Sequence, residues 1–267
     1  MSGGASAPGG TGRHDRSVTT AAPTRVAELE RLAARTWRGL EEEPYGDWLL
    51  RAGGGFTGRA NSVLVTGDPP EDPRAAVTTV TGWYADRGLR ACAAVPVPGG
   101  EAADAAFAAA GWTRDEDVLV LVAPAGPWPA ADVPVRIDDA PDEVWLAGYR
   151  HRGAALPAGA AAVLRNADRP LFASVRPDPA ADRPAAVARG VVDGSWLVVS
   201  AVTVDDPHRR RGLATAVMAA LATEARTRGA TSCLLQVTAS NAPALALYAR
   251  MGFTEHHRYH YRWAPQG

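Results

Sequence analysis

The sequence predicts an α/β chain of the α+β kind, built as two tandem copies of one unit, and three observations lead there. Apolar runs of strand length alternate with helical patterns along most of the chain. A single offset of 141 residues carries Gly88 onto Gly229, Cys92 onto Cys233 and Gly111 onto Gly252. A proline-rich stretch, residues 124–134, separates the copies. At 267 residues, two domains of ordinary size fit, each able to bury a core. The expected organisation is a disordered tail over 1–24, a first domain over 25–123, a linker over 124–134 and a second domain over 135–267.

The elements follow in order. Residues 1–24 are rich in Gly, Ser, Ala, Thr and Pro and show no periodicity, so they should not order. They hold no long apolar core, and no secretory signal is expected. A helix over 25–40 would place Val26, Leu29 and Ala33 on one face. Strands over 48–52 and 59–66 flank the triple glycine at 53–55. A helix over 74–87, a strand over 90–97, a helix over 101–110 and a strand over 118–123 complete the first copy. The second starts with a strand over 135–138, a helix over 142–149 and a short helical element over 158–165. Strands over 171–176, 185–192 and 196–204 come next, then a helix over 213–228 and a strand over 231–238. Asn241 suits an N-cap, Pro243 a first helical turn and Gly252 a helix stop, before an aromatic-rich strand over 255–263.

No stretch approaches the ~20 apolar residues of a membrane helix. Cys92 and Cys233, at equivalent strand positions, read as small core residues rather than a disulfide or metal pair. A cytoplasmic protein is expected. With a formal charge of −1, no broad basic surface favours nucleic acid, and neither nucleic acid nor membrane is expected as a partner.

The strongest local signal is Arg209-Arg210-Arg211-Gly212-Leu213-Ala214, between the apolar run 196–204 and the helical pattern from Leu213. Such a turn presents unpaired backbone N–H groups at the positive end of a helix dipole, a receptor for phosphate. Arg-x-x-Gly-x-Ala after a strand resembles the acyl-CoA pyrophosphate loop of the GCN5-related N-acetyltransferases. Asn241, Tyr248 and Gly252-Phe253 resemble that family's second signature, and the element order matches over 186–263. The tandem arrangement is similar to actinobacterial members with a degenerate first half.

The resemblance implies a mixed, mainly antiparallel sheet flanked by helices, in which strands 196–204 and 232–238 splay apart. It implies that acetyl-CoA is a co-substrate, with transfer of an acetyl or other short acyl group from acyl-CoA to an amine by direct attack in a ternary complex. Val202 and Val204, with Thr203 between them, would offer backbone groups to the pantetheine arm. Arg209, Arg210, Arg211, Gly212, Leu213, Ala214 and Thr215 would hold the pyrophosphate. Asn241 and Ala244 would line the arm near sulfur, and Tyr248 would protonate the leaving thiolate. No metal is implied, and His256, His257 and His260 are not spaced as a ligand set.

In the first copy Asp68, Glu71 and Pro73 stand where Arg209, Gly212 and Ala214 stand in the second, Gly100 where Asn241 does, and Phe107 where Tyr248 does. Acidic residues and prolines disfavour a pyrophosphate there, so no cofactor site is expected in that half. The general base is left open, because 197–204 holds no carboxylate; Ser200, Asp193, Glu255 and His256 are candidates. For an acceptor at the junction of the copies, a small-molecule or peptide amine, the candidates are Trp48, Arg59, Asn61 and Tyr149, with Arg51, Ser62, Arg150 and His151 nearby. The alternative reading is a non-catalytic acyl-CoA sensor.

Overall fold

The computed structural model describes residues 21–150, 154–178 and 180–266; residues 1–20 of the expected tail and His151 lie outside them. Helix α1 (Pro23–Thr36) opens on a proline, whose missing N–H is an unpaired first-turn donor anyway, and buries Val26, Leu29, Leu32 and Ala33. It stops short of the expected residue 40 because Trp37 leaves helical geometry at φ −139° and sinks its indole into the core. Next comes β1 (Glu41–Tyr45), a strand that the pattern analysis missed. It turns at Gly46, φ +61°, and pairs antiparallel with β2 (Trp48–Ala52). Its run of glutamates and its proline look like a loop, yet this is the edge of the sheet, where charge and proline are tolerated.

The strand expected over 59–66 shrinks to β3 (Val63–Leu64), because residues 58–60 form a 3-10 turn. The remaining elements fall close to expectation. They are α2 (Pro73–Ala85), β4 (Cys92–Val97), α3 (Glu101–Ala109), β5 (Thr113–Pro124), β6 (Arg136–Asp138), α4 (Glu143–Gly148), α5 (Ala160–Arg165), β7 (Leu171–Val175), β8 (Ala186–Asp193), β9 (Trp196–Val204), α6 (Leu213–Thr227), β10 (Ser232–Thr238), α7 (Ala242–Arg250) and β11 (Thr254–Trp263).

All strands join one mixed sheet of order β1-β2-β3-β4-β11-β5-β10-β9-β8-β7-β6. The two halves exchange their closing strands: β11 lies between β4 and β5, and β5 lies between β11 and β10. Alternation along the central strands feeds two faces. Leu121, Leu197 and Leu235 pack under α6 and α7, and Ala93 and Val95 pack under α2 and α3 on the same face. Val118, Val120, Val198 and Leu234 face α1 on the other side, where Trp37 and Phe56 also meet Trp145 of α4 and Val163 of α5. No described helix is long and apolar enough to cross a membrane.

The pairing also corrects the repeat alignment across β3. Leu64 sits opposite Ala94 as Val199 sits opposite Leu235, so β3 matches residues 198–199, not the later part of β9. The chain from this matched pair to the next helix is therefore shorter in the first half, because β3 ends where β9 runs on to Val204.

Candidate active site

Strands β9 and β10 run parallel from Trp196 and Ser232 until Val199 meets Leu235, and there their pairing ends. Beyond that point β9 stays with β8 and β10 with β5, so a wedge opens between them. A bulge causes the divergence: Ala201 adopts φ +55°, strained for a residue with a side chain, where the β8–β9 register shifts. Asp205 donates its N–H to the Ala185 carbonyl, and Thr203 sits opposite Val187. Antiparallel alternation then turns the peptide groups of Val202 and Val204 away from β8, into the wedge.

At the mouth of the wedge stands the arginine turn. Arg210 and Gly212 both have positive φ, 63° and 75°, and Gly212 is the N-cap of α6 with no side chain capping it. The first-turn amides of Leu213, Ala214 and Thr215 are thus presented at the positive end of the helix dipole. A Cβ at position 212 would lie 3.3 Å from that of Ala131, so the turn is closely backed by residues of the interdomain stretch. Arg209 is held by Asp206 at 2.6 Å, and Arg211 Nη1 lies 3.1 Å from His208 Nδ1.

Across the wedge, Asn241 caps α7 by accepting the Ala244 N–H at 3.2 Å, and Ala244 packs against the core below. One helical face further, Tyr248 is buried, its ring 5.7 Å from that of Phe253. Burial, reinforced by the neighbouring Cys233, pushes its phenol up to about 12, so it holds its proton at any physiological pH.

In the first half a cavity of about 320 Å³ remains past the β3–β4 pairing, lined by Val65, Thr66, Gly67, Pro96 and Gly99, but the helix end beside it is closed. Asp72 caps α2 by accepting the Arg74 N–H at 2.9 Å, putting a carboxylate where the second half offers bare amides. Glu71 accepts from Tyr45 and from Thr79. Just past the short β3–β4 pairing, Arg31 of α1 donates to the Thr66 carbonyl at 3.1 Å. Phe107 is fully buried and has no hydroxyl to offer.

On the α1 face, level with the wedge, lies a cavity of about 160 Å³, lined among others by Arg59, Asp115, Glu116, Gln236, Tyr259 and Tyr261. Tyr259 and Tyr261 touch through their hydroxyls at 3.3 Å, and burial raises both phenols. Arg59 stacks over Trp37 at 4.3 Å, and Tyr149, whose phenol is raised by burial, feels the charge of Arg59. Three acceptor candidates do not line this cavity; Tyr149, with Arg150, lines a separate cavity of about 420 Å³. Trp48 is a core residue that packs on Phe107 at 5.9 Å and donates to the Gly67 carbonyl. Asn61 is consumed by the glycine turn, accepting from Gly53 and Gly55 and donating to Thr57. Arg51 is likewise tied to Ser62.

Among the candidate bases, Asp193 is paired with Arg35 at 2.7 Å and Glu255 with Arg258 at 2.6 Å. His256 abuts His257, which is itself bonded to the buried Glu30 of α1 at 2.8 Å. Sequence patterns missed Asp115, Glu116, Gln236, Tyr259 and Tyr261. They line the cavity only because β5 and β11 change places, and no local motif announces that exchange.

Residues 24–262 match the family described as "Probable histone acetyltransferase Rv0428c C-terminal". The chain is 32% identical over 265 residues to the probable histone acetyltransferase Rv0428c of Mycobacterium tuberculosis, covering 93% of this chain and 77% of that protein. It is 27% identical over 263 residues to the uncharacterized N-acetyltransferase YobR of Bacillus subtilis, covering 89% and 98%. Among solved structures, a GCN5-related N-acetyltransferase from Kribbella flavida shares the fold at TM-score 0.64 and 16% identity, over 91% of this chain and 96% of that one. A tandem protein of the same superfamily from the clavulanic acid pathway aligns at TM-score 0.59 and 15% identity, over 90% and 88%.

Proposed function

We propose, since the chain belongs to the Rv0428c C-terminal family of GCN5-related N-acetyltransferases, that it moves an acetyl group from acetyl-CoA to an amine at one site, in its second half. The observation that carries this reading is the β9–β10 wedge ending at an uncapped, glycine-initiated helix N-terminus. Amides of Leu213 to Thr215 and the arginines before them would take the pyrophosphate, a helix-end anion site supplemented by charge-assisted contacts. Val202 and Val204 would pair with the pantetheine amides as a strand pairs with its neighbour, with Asn241 and Ala244 on the other wall. Acetyl-CoA supplies a thioester carbonyl at the vertex.

A neutral amine nitrogen attacks that carbon, the C–S bond breaks, and the nitrogen sheds one proton while sulfur gains one. Tyr248, protonated because it is buried, is assigned the second transfer. Asp115 and Glu116, which line the cavity on the acceptor face, would take the first. The first half, with its helix end closed by Asp72, would serve as scaffold and as one wall of the acceptor cavity. The acceptor is a small-molecule or peptide amine, met in the cytoplasm, where acetyl-CoA is made and used.

Thiol release from acetyl-CoA over a panel of amines tests the reading. Turnover that depends on the amine supports it. CoA binding with no turnover on any amine would instead favour a sensor.

A further inference from the structure

Arg189 of β8 is an uncommon residue for a protein interior: it is 1% exposed and has no carboxylate partner. Its Nε donates to the Leu164 carbonyl at 2.8 Å and its Nη1 to the Thr36 carbonyl at 2.9 Å, so it ties the ends of α5 and α1 together. The third nitrogen, Nη2, is buried without any hydrogen-bond partner. Directly opposite Arg189 in the β8–β9 register is Ser200, whose Oγ is also buried and unpartnered, one residue before the bulge that opens the wedge.

A second arginine approaches the same spot from the first half. The guanidinium carbons of Arg59 and Arg189 lie 4.3 and 5.1 Å from the centre of the same Trp37 ring. Arg59 makes no ion pair or hydrogen bond among the described residues. Burial, and then Arg59, bring Arg189 down to about 9, and Tyr149 sits in the field of both. Two buried or half-buried cations without an anion oppose folding, and such an arrangement is stabilised by an anion bound nearby.

Arg59 also lines the 160 Å³ cavity, together with Asp115 and Glu116. Neither acid forms an ion pair among the described residues; Asp115 accepts only the Glu116 N–H. Glu30, the further acid near Arg59, is engaged by His257. The cavity is therefore lined by charge of both signs.

We propose that Arg59, backed by Arg189, binds the carboxylate of the acceptor, and that the acceptors are small amines of the amino-acid class. This rests on the transferase reading and adds to it the chemical class of the substrate. The planar fork of a guanidinium accepts a carboxylate through two parallel N–H···O bonds, and the aromatic backing of Trp37 holds that fork in place. An ammonium would be drawn to Asp115 and Glu116 of the same cavity.

Matched acceptors test it: L-phenylalanine against L-phenylalaninamide and L-alanine against L-alaninamide, in wild type and in Arg59→Gln, followed by thiol release. Comparing the acid-to-amide ratio between the two proteins cancels the difference in amine basicity. The expected result is a KM for the acids at least tenfold higher in Arg59→Gln, with the amides within twofold. Arg189→Lys, with its melting temperature checked, should shift the same ratio in the same direction.

An equal change for acids and amides, or no change for either, would overturn the proposal while leaving the transferase standing. Absence of turnover with every amine would count against the transferase instead. In that case calorimetric titration of L-phenylalanine and its amide into the CoA-saturated protein decides: binding of the acid that Arg59→Gln abolishes supports the carboxylate site, and equal or absent binding of both overturns it.

Discussion

Removing one oxygen atom, in Tyr248→Phe, tests the proposed chemistry with little disturbance to the fold. The first half already shows a phenylalanine in the equivalent place: Phe107 is fully buried, 4.6 Å from the Trp112 ring. Tyr248 packs against Phe253 at 5.7 Å in the same manner. A ring without its hydroxyl therefore fits this scaffold, and the melting temperature should stay within about 3 °C of wild type, the shift expected for about 1 kcal/mol in a domain of this size. Loss of a general acid typically costs 10²–10⁴ in rate; a thiolate leaves readily, so the lower end applies, ~100-fold in kcat or about 2.7 kcal/mol. CoA affinity and the KM for acetyl-CoA should change less than about threefold, because the hydroxyl acts on the leaving group only. The pH profile carries a further check. Burial raises the phenol to about 12, so the acid form persists through the alkaline range and wild-type kcat should show no tyrosine-like fall between about pH 8 and 10. Initial rates, calorimetry with CoA and thermal melts on one preparation decide the matter. A variant that keeps kcat within about threefold of wild type refutes the assignment of Tyr248 as the acid.

Gly212→Val should weaken CoA binding by at least about tenfold and lower the melting temperature, since φ is +75° there and Ala131 stands 3.3 Å from the new Cβ; calorimetry showing unchanged affinity would argue against the helix-end phosphate site. Titration of the natural protein should find one CoA per chain, and Asp72→Ala should cost about 1 kcal/mol of stability as a lost N-cap without creating a second site; two sites in either protein would contradict the reading of the first half. Asp104 of α3 joins the halves by accepting from Arg262 and His260 of β11, and Arg262 first, then His260, bring its carboxyl down to about 2. A depressed carboxyl stabilises the fold above its unfolded value near 4, and that contribution disappears as pH falls toward 2. Asp104→Asn should thus cost about 1 kcal/mol at pH 7, an amount reduced because the carboxylate is partly open to water, and should flatten the denaturation midpoint between about pH 4 and 2; an unaltered acid limb would remove Asp104 from that role.

Much of the architecture was readable because it is local. Periodicity placed most helices and strands, and the Gly88/Gly229 and Gly111/Gly252 offset revealed the duplication. The arginine turn and the Asn241 cap were legible because helix ends carry their own chemistry. What failed was non-local or masked by composition. Three glutamates and a proline hid β1, since an edge strand needs no apolar alternation. Trp48 and Asn61 looked like ligand residues because polar or aromatic groups beside glycines often are, yet one fills the core and the other holds a turn. Their roles depend on which face of the sheet each side chain takes, and a three-residue 3-10 turn resets that parity.

The exchange of β5 and β11 explains why a half with its own helix end closed would still be needed. Without β5, β10 would keep only its pairing with β9 over Ser232–Leu235 and would stand alone beyond it, so the wedge would lose the support of one wall. Residues from both halves then meet on the acceptor face: Arg59 from the first 3-10 turn, Asp115 and Glu116 from β5, Gln236 from β10, and Tyr259 and Tyr261 from β11. A lone second half would keep the residues of the phosphate-binding turn and Tyr248 but would lose Leu121 and Ala123 of β5 from the core under α6 and α7. It would have no acceptor cavity. Duplication followed by loss of one cofactor site is thus physically coherent: the first copy no longer needs to grip a nucleotide, and its strand and its arginine are free to shape what the second copy acetylates.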